Sequence, residues 1–189
     1  MGKLERGVKS VPIFTALAVR RINDLIVGKH RSPRRLHRSE GLVNRMKSFL
    51  ENPSRIVDEL YIGNAANAAD SGFFRKNNIK NVLNVTKYTK NHFPRRVNYM
   101  RIPISDARGI EFGKQIRKGV RFIETSLARG EPILVHCVMG CSRSVTVVVG
   151  YIMKRYNMTR DEAYDLVKAR RVIANPNISF WNELKKLEN

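Results

Sequence analysis

The segment PILVHCVMGCSRSVTVVVGYIM, Pro132–Met153, joins an apolar strand to a polar loop and a second apolar run. Its start, Pro132–His136, is a short continuous apolar run, which is typical of a strand buried within a parallel sheet. Cys137 follows at the carboxyl end of that strand, where α/β sheets place their functional residues. Composition favours a strand for Ser144–Met153 because that run is rich in β-branched residues, but periodicity cannot decide so short a segment.

Predicted strands and helices alternate along the chain from residue 55 onward. The clearest helix is Glu111–Ala128, whose apolar residues recur at helical spacing and which ends before Gly130. Thr159 and Glu162 form a capping box for a later helix. The other predictions are strands at Glu59–Ile62, Asn81–Thr86 and Tyr99–Pro103, and helices at Asn64–Lys76 with Asn64 as cap, from Thr159 to about Arg170, and at Asn177–Leu187. This alternation predicts an α/β fold with a central, mostly parallel sheet flanked by helices.

The first part of the chain has a different character. We predict a basic helical N-terminal extension over residues 1–54 and a main domain over residues 55–189. The extension contains two amphipathic segments, Pro12–Val27 and Gly41–Asn52, separated by the basic run Lys29–Arg38, which is typical of an exposed linker. The two predicted helices either cover part of the main domain or form a dimerisation or membrane-surface arm.

The charge of the chain favours anionic partners. Its 189 residues include 36 Lys and Arg against 16 Asp and Glu, a net charge of +20. This excess suits phosphorylated protein, nucleic acid or an anionic surface and does not choose among them. The apolar runs are too short for a transmembrane segment. Two cysteines cannot build a disulfide scaffold, so a cytoplasmic location is the simplest expectation, with nuclear or virion-associated locations as alternatives.

The loop after the strand has the residue types of a phosphate site. Between Cys137 and Arg143 lie Val138, Met139, Gly140, Cys141 and Ser142. Successive backbone N–H groups of such a loop, leading into a helix, can turn inward as an anion nest. The positive potential of the nest favours a thiolate on Cys137, which is then a nucleophile at neutral pH. Arg143 offers a planar fork that matches two phosphate oxygens.

Neighbouring residues have supporting roles in this prediction. Gly140 lets the backbone bend, and His136 is expected to orient the loop through a backbone hydrogen bond. Ser144 can give its hydroxyl to the sulfur of Cys137 and so help the thiolate leave. Cys141 either fills a small apolar gap, which we favour, or forms a reversible disulfide that protects Cys137. Zinc binding by the histidine and the two cysteines lacks the usual ligand spacing.

The loop sequence HCVMGCSRS resembles the signature of the cysteine-dependent protein tyrosine phosphatases: His-Cys, five residues, Arg, then Ser or Thr. The Ser-Arg-Ser ending is most similar to the dual-specificity phosphatases. Flanking segments resemble those of the small atypical members in order and spacing: LYIGNAANA (Leu60–Ala68), NVLNVT (Asn81–Thr86), YMRIPISD (Tyr99–Asp106) and RVIANPNISFW (Arg171–Trp181). The resemblance covers about residues 54–187.

The resemblance implies a fold like that of the protein tyrosine phosphatases and a two-step reaction. Ser144–Tyr156 is then a helix, because tertiary context overrides its strand-like composition. Asp106 is implied as general acid and base, with Glu111 as a weaker alternative; only the preceding Ile-Pro-Ile-Ser context selects Asp106 among the aspartates. Cys137 attacks phosphorus to form a phosphocysteine, which water hydrolyses, with no metal or cofactor required.

The same resemblance narrows the substrate to phosphorylated protein. The loop carries none of the lysines with which relatives meet phosphoinositides, and Ile104, Ser105 and Asp106 stand where the larger tyrosine-specific enzymes carry Trp-Pro-Asp. A shallow pocket would accept phosphoserine and phosphothreonine as well as phosphotyrosine. Arg171 is expected to contact a second phosphate or an acidic patch of the substrate, and Asn177 to support the loop.

Two further expectations concern the N-terminal extension. Viral members of the family dimerise through an N-terminal helix, so Pro12–Val27 suggests a homodimer by analogy. The alternative function, from another class, is a non-enzymatic module whose basic arm binds nucleic acid or an acidic scaffold, and weak nucleic-acid contact could also accompany the enzyme.

Overall fold

The protein is represented by a computed structural model that describes residues 51–107 and 112–188. Its strands are β1 (Ser54–Val57), β2 (Leu60–Gly63), β3 (Asn81–Asn84), β4 (Asn98–Arg101) and β5 (Ile133–His136). They form one sheet in the order β1-β2-β5-β3-β4. β1 pairs with β2 in the antiparallel sense, and the remaining neighbours pair in parallel. The mostly parallel sheet confirms the predicted fold class.

Helices cover both faces of this sheet. The described residues form α1 (Ser71–Lys76), α2 (Gly113–Ala128), α3 (Arg143–Tyr156), α4 (Arg160–Arg170) and α5 (Ile178–Lys185). On one face α2 and α3 pack against the inner strands, and α5 packs against both of these helices. On the other face Phe74 of α1 joins a cluster with Tyr61, Val82 and Leu134 from the strands. The parallel strands therefore bury both of their faces, as their continuous apolar sequences predict.

Two glycines allow α2 and α3 to approach closely. A Cβ atom at Gly119 of α2 would lie 2.5 Å from Val147 Cγ1, and one at Gly150 of α3 would lie 2.7 Å from Ile116 Cγ2. Both distances are far below the roughly 3.5–4.0 Å at which carbon atoms attract each other. Larger residues would push the helices apart and would move α3, which begins at Arg143 directly after the polar loop.

Several local predictions agree with the structure. Thr159 and Glu162 form the predicted capping box, and the helix that they begin ends at Arg170. Gly130 follows α2 in a left-handed conformation, with φ of 68°. The β-branched run after the loop is helical, as the resemblance implies, because it is the buried helix that packs against α2 and the sheet.

The predicted continuous helix Asn64–Lys76 is wrong. Asn64 instead closes a turn, where its Oδ1 accepts the Asn67 N–H at 2.8 Å, and a 3-10 turn follows. The cap of α1 is Asp70, whose Oδ1 accepts the Gly72 and Phe73 N–H groups. The side chains of Asn64 and Asp70 each accept hydrogen bonds from nearby backbone N–H groups. They thus divide the segment into a turn and a short helix.

Strand β1 is missing from the sequence prediction. It forms a tight hairpin with β2, and Asp58 in the connection has a φ of 43°. Left-handed backbone is uncommon outside glycine, although aspartate tolerates it better than most residues. The observed strands also begin or end one or two residues from the predicted bounds, a scatter that is usual for element ends.

The N-terminal predictions fall on residues that the structure does not describe. The helix Pro12–Val27, the linker Lys29–Arg38 and all but the last two residues of Gly41–Asn52 lie outside the described ranges. The domain boundary after residue 54 therefore stays a prediction. Within residues 51–107 and 112–188, no helix is both long enough and apolar enough to cross a bilayer.

Candidate active site

Cys137 lies at the carboxyl end of β5, buried at the base of the polar loop. The residue is 1% exposed, and two donors converge on its sulfur. The Gly140 N–H lies 3.1 Å from Sγ and the Ser144 hydroxyl lies 3.3 Å from it. The thiolate is the reactive form of cysteine, and both of these donors are placed to hydrogen-bond it when it forms.

The carbonyl groups of the loop are held by donors outside the loop. The bonds are Ala65 N–H to Val138 O (3.0 Å), Arg171 Nε to Gly140 O (2.5 Å) and Asn175 N–H to Cys141 O (2.7 Å). The C=O and N–H of one trans peptide point in opposite directions. The N–H groups of Met139, Cys141 and Ser142 therefore turn toward the inside of the loop. Converging N–H groups of this kind form an anion-binding nest.

Arg143 closes the loop as the first residue of α3. It is 8% exposed, and its Nη1 donates to the Ile104 carbonyl at 3.2 Å. Its Nε lies 3.5 Å from Asp106 Oδ2. The guanidinium therefore lies between the loop and the segment that carries Asp106, close enough to both to serve an anion held by the loop.

Asp106 lies beside the loop, as the resemblance implies for the general acid. Its Oδ1 accepts two hydrogen bonds, from Ser142 Oγ at 2.8 Å and from Asn177 Nδ2 at 2.7 Å. The Asn177 N–H donates in turn to Ser142 Oγ at 3.2 Å. Asn177 also caps α5. The start of α5 therefore holds both the loop and the carboxylate, whereas the alternative acid Glu111 lies outside the described residues.

His136 is buried directly before the nucleophile. Its Nδ1 lies 3.3 Å from the Cys137 carbonyl oxygen. Burial lowers the pKa of His136 from 6.5 to about 4. The ring is therefore neutral at physiological pH, and since a carbonyl only accepts, the proton belongs on Nδ1. This is the loop-supporting backbone contact that the sequence predicts.

Cys141 is a half-buried free thiol within the loop. Burial raises its pKa to about 12, and the nearby sulfur of Cys137 acts in the same direction. A thiol that remains protonated attacks disulfides and sulfenic acids slowly. This favours the gap-filling interpretation over the protective disulfide. Among the described residues, no cluster of three or more His, Cys, Asp or Glu side chains could hold a metal ion.

The structure corrects the expectation for Arg171. Its guanidinium does not face the substrate side of the loop: the residue is 2% exposed and donates to the Gly140 carbonyl from outside the loop. Its Nη1 contacts the carbonyls of Asn52 and Ile62 and the hydroxyl of Ser54. A side chain enclosed by these backbone groups cannot reach a second phosphate or an acidic patch.

Sequence reasoning missed two contributors to the loop. Ala65 and Asn175 act through backbone N–H groups, which every residue except proline possesses. Only the presence of their segments in the resemblance pointed to them. A cavity of about 930 Å³ lies elsewhere, lined in part by Gly150, Met153 and Lys154 of α3. Helical rise puts these residues roughly 10–17 Å along α3 from the loop, so the cavity is separate from the candidate site.

The site joins a buried cysteine, an inward-facing amide loop and an arginine at the carboxyl edge of a parallel sheet, an arrangement that defines a cysteine-dependent phosphatase. The family model "Dual specificity phosphatase, catalytic domain" matches residues 60–189. The chain belongs to this family of protein-tyrosine-phosphatase-type hydrolases.

Curated relatives and a solved structure agree with the family assignment. The chain is 36% identical over 136 residues to the Xenopus laevis "Protein phosphatase Slingshot homolog", with 72% of this chain and 20% of the relative covered. It is 35% identical over 136 residues to mouse "Dual specificity protein phosphatase 2", with 72% and 43% covered. A mouse putative dual specificity phosphatase, solved as a complex with zinc tungstate, has 29% identity and a TM-score of 0.69, with 72% and 86% covered. The chain thus spans less than half the length of these curated relatives.

Proposed function

We propose that this protein hydrolyses phosphotyrosine and phosphoserine or phosphothreonine in proteins through a phosphocysteine intermediate. The observation that carries the proposal is the pair of hydrogen bonds from Gly140 N–H and Ser144 Oγ to Cys137 Sγ, at the floor of a loop whose amides turn inward. Such a site binds a phosphoryl group with its oxygens on the amides and its phosphorus in line with the sulfur.

In the first step Cys137 forms a bond to phosphorus while the bond from phosphorus to the leaving oxygen breaks. The equatorial oxygens accept hydrogen bonds from the loop amides, and Arg143 adds its planar fork. Asp106 gives its proton to the leaving phenolate or alkoxide. Its Oδ1 accepts from Ser142 and Asn177, and its Oδ2 lies 3.5 Å from Arg143 Nε, so the carboxyl group is held beside the loop.

In the second step water attacks the phosphocysteine and the sulfur leaves as a thiolate. Asp106 accepts a proton from the water, and inorganic phosphate is released. The Ser144 hydroxyl, 3.3 Å from Sγ, stabilises the departing thiolate. Ser144 therefore contributes most to the second step, in which the intermediate breaks down.

The choice of substrate class has two supports. Relatives are named as dual specificity protein phosphatases, and one neighbour was solved with tungstate, a tetrahedral oxyanion like phosphate. Ile104 and Ser105 precede Asp106 at the positions where the larger tyrosine-specific enzymes carry Trp-Pro. The alternative of a non-enzymatic nucleic-acid-binding module is not supported by these relatives. A cytoplasmic location stays a prediction.

Turnover of an aryl phosphate by variants tests this function. We expect Cys137→Ser to abolish turnover, because a hydroxyl at this position is not ionised at neutral pH. Asp106→Asn should lose about 10²–10⁴-fold with a poor leaving group, the usual contribution of a general acid, and much less with a good one. Normal turnover by Cys137→Ser would refute the mechanism. Equal losses by Asp106→Asn with both leaving groups would remove Asp106 from the role of acid.

A further inference from the structure

Arg171 is a buried cation that none of its hydrogen-bond partners neutralises. It follows α4 directly, and its acceptors are three carbonyls and one hydroxyl. Burying a charged group costs free energy unless its donors are satisfied or an opposite charge lies nearby. The Glu51 carboxylate offsets part of this cost. The hydrogen bonds of Arg171 to neutral groups of three separate segments still need an explanation.

The contacts of Arg171 join three separate parts of the chain. Its Nε donates to the Gly140 carbonyl of the loop at 2.5 Å. Its Nη1 donates to the Asn52 carbonyl at 3.2 Å and to Ser54 Oγ at 3.1 Å, ahead of and within β1, and makes a longer contact of 3.5 Å to the Ile62 carbonyl of β2. One rigid guanidinium therefore ties the loop to the edge of the sheet.

The hydrogen bond from Arg171 to the Gly140 carbonyl affects the orientation of the N–H groups in the loop. Gly140 has a φ of 69°, and a Cβ there would lie 2.6 Å from Arg171 Nη2. The guanidinium thus packs against the α-carbon of Gly140. With the Gly140 carbonyl held outward, the Cys141 N–H of the same peptide turns inward. The N–H on the other side of Gly140 donates to Cys137 Sγ.

The charges around Cys137 come from several elements. The ionisable groups include His136 in β5, Cys141 in the loop, Asp106 in the segment after β4, Arg143 in α3 and Arg171 after α4, with Arg101 and His92 acting on His136 from further along the chain. Burial makes His136 neutral, and Cys141 keeps its proton, so Arg143 and Arg171 are the cations of this group. Lys168 adds a positive charge that acts on Cys141, and Glu51 adds a negative charge that acts on Arg171. The negative charge of a Cys137 thiolate opposes the effect of burial on the pKa of Arg171, which burial lowers.

We propose that Arg171 is a positioning residue of the phosphate loop: its buried guanidinium fixes the Gly140 peptides so that their N–H groups serve the sulfur and the phosphate. This rests on the proposed function, because it assigns a role within the same site. The planar shape of the Arg171 guanidinium contributes to this role in addition to its charge. Nε and Nη1 bond to groups on two different segments at once, and a single lysine ammonium cannot occupy both positions.

The test measures the nucleophile and the oxyanion site without turnover. Iodoacetamide alkylation of Cys137 is followed across a pH series in the full-length protein, and fragment-ion mass spectrometry distinguishes Cys137 from Cys141. Protection from alkylation by inorganic tungstate is titrated in the same samples. The variants are Arg171→Met and Arg171→Lys. The control is Arg129→Met, because Arg129 is exposed and precedes the amino end of β5, whereas the loop follows the carboxyl end of that strand.

We expect the alkylation midpoint of Arg171→Met to move to higher pH and its tungstate protection to weaken by about 10–100-fold, less than the loss of a direct oxyanion donor. Arg171→Lys should recover part of the midpoint shift but little of the tungstate affinity. Arg129→Met should match the wild type. A folded Arg171→Met protein with wild-type midpoint and wild-type protection would overturn the proposal, and so would full rescue of both by lysine.

A second variant covers the case in which Arg171→Met does not fold. Ser54→Ala removes one acceptor of Nη1 and leaves the guanidinium in place. The loss of one hydrogen bond should weaken tungstate protection by about 2–10-fold in the same direction, and unchanged protection would count against the proposal. These readouts require no turnover. Failure of the proposed function, shown by an active Cys137→Ser, is therefore distinguishable from failure of this inference.

Discussion

His136 links the protonation state of one buried residue to the stability of the whole protein. Its pKa is about 4 in the folded protein, and that of an unfolded histidine is near 6.5. Between these pH values the unfolded chain binds a proton that the folded protein does not bind. The free energy of unfolding therefore falls as the pH decreases from about 6.5 to about 4, by up to roughly 3 kcal/mol from this residue.

A substitution isolates this contribution. We expect His136→Asn, whose amide can still donate to the Cys137 carbonyl, to lose less stability than the wild type between pH 6.5 and 4. Urea unfolding at several pH values measures the difference. The comparison is the exposed His92, which also lowers the pKa of His136 but less than burial does, so His92→Asn should change the pH dependence only slightly. Parallel stability curves for wild type and His136→Asn would contradict the assignment of a depressed pKa to His136.

For single residues, the type of side chain predicted the chemical role better than it predicted burial and contacts. Cys137 and Arg143 could be chosen from the sequence because the loop chemistry needs a thiol and a planar cation at that spacing. The sequence predicts a substrate contact for Arg171 only because the resemblance implies that its segment lies near the cleft. Arg171 is only 2% exposed because of how the chain packs around it, and burial of this kind cannot be predicted from the residue type.

Among the elements, the loop between β5 and α3 depends most on a single backbone conformation. Gly140 has a φ of 69°, and a Cβ there would lie 2.5 Å from the Gly63 carbonyl oxygen. Backbone and side-chain neighbours both oppose any larger residue. Gly130 has a nearly identical φ of 68°, but a Cβ there would meet nothing within 4 Å.

These two glycines form a matched pair. Gly130→Ala should cost only the left-handed backbone term, about 1–2 kcal/mol. Gly140→Ala should cost that plus an overpacking term of about 1–3 kcal/mol, and should also lose turnover of aryl phosphate. Urea unfolding gives the two stabilities. Equal destabilisation, with full activity in Gly140→Ala, would show that the loop tolerates the side chain and that its geometry is less constrained than described.

Secondary structure was predictable where local signals agreed with tertiary packing. The capping box at Thr159 and Glu162 set the start of α4 directly. The helix α3 was not predictable from composition, since its β-branched residues favour a strand; packing against α2 and the sheet decides it. The predicted helix from Asn64 failed because two local signals compete. Asn64 and Asp70 are both good caps, and the sequence does not say which of them begins the helix.

For the molecule as a whole, the described contacts that shape the site lie within residues 51–107 and 112–188. The first of them are the bonds from Asn67 Nδ2 to the Glu51 carbonyl and from Arg171 to Asn52 and Ser54. The predicted dimerisation helix, the basic linker and any nucleic-acid contact belong to the earlier residues and stay predictions. The chain should therefore divide functionally ahead of Glu51 rather than within β1.

Two truncations test this division. Removal of residues 1–50 should leave turnover of a small aryl phosphate unchanged, because the described contacts of the site are retained. Removal of residues 1–58 also deletes β1 and two partners of Arg171, and should lower both stability and turnover. Steady-state kinetics and thermal unfolding measure both. Loss of turnover on removal of residues 1–50 alone would show that the extension is part of the catalytic unit.

Trapping of the covalent intermediate tests the central claim most directly. Ser144→Ala should slow the second step, in which the thiolate leaves, more than the first. Rapid acid quenching of this variant during turnover of an aryl phosphate, followed by peptide mass spectrometry, should find one phosphoryl group on Cys137. Turnover with no phosphorylated cysteine, or with the phosphoryl group on another residue, would contradict the account.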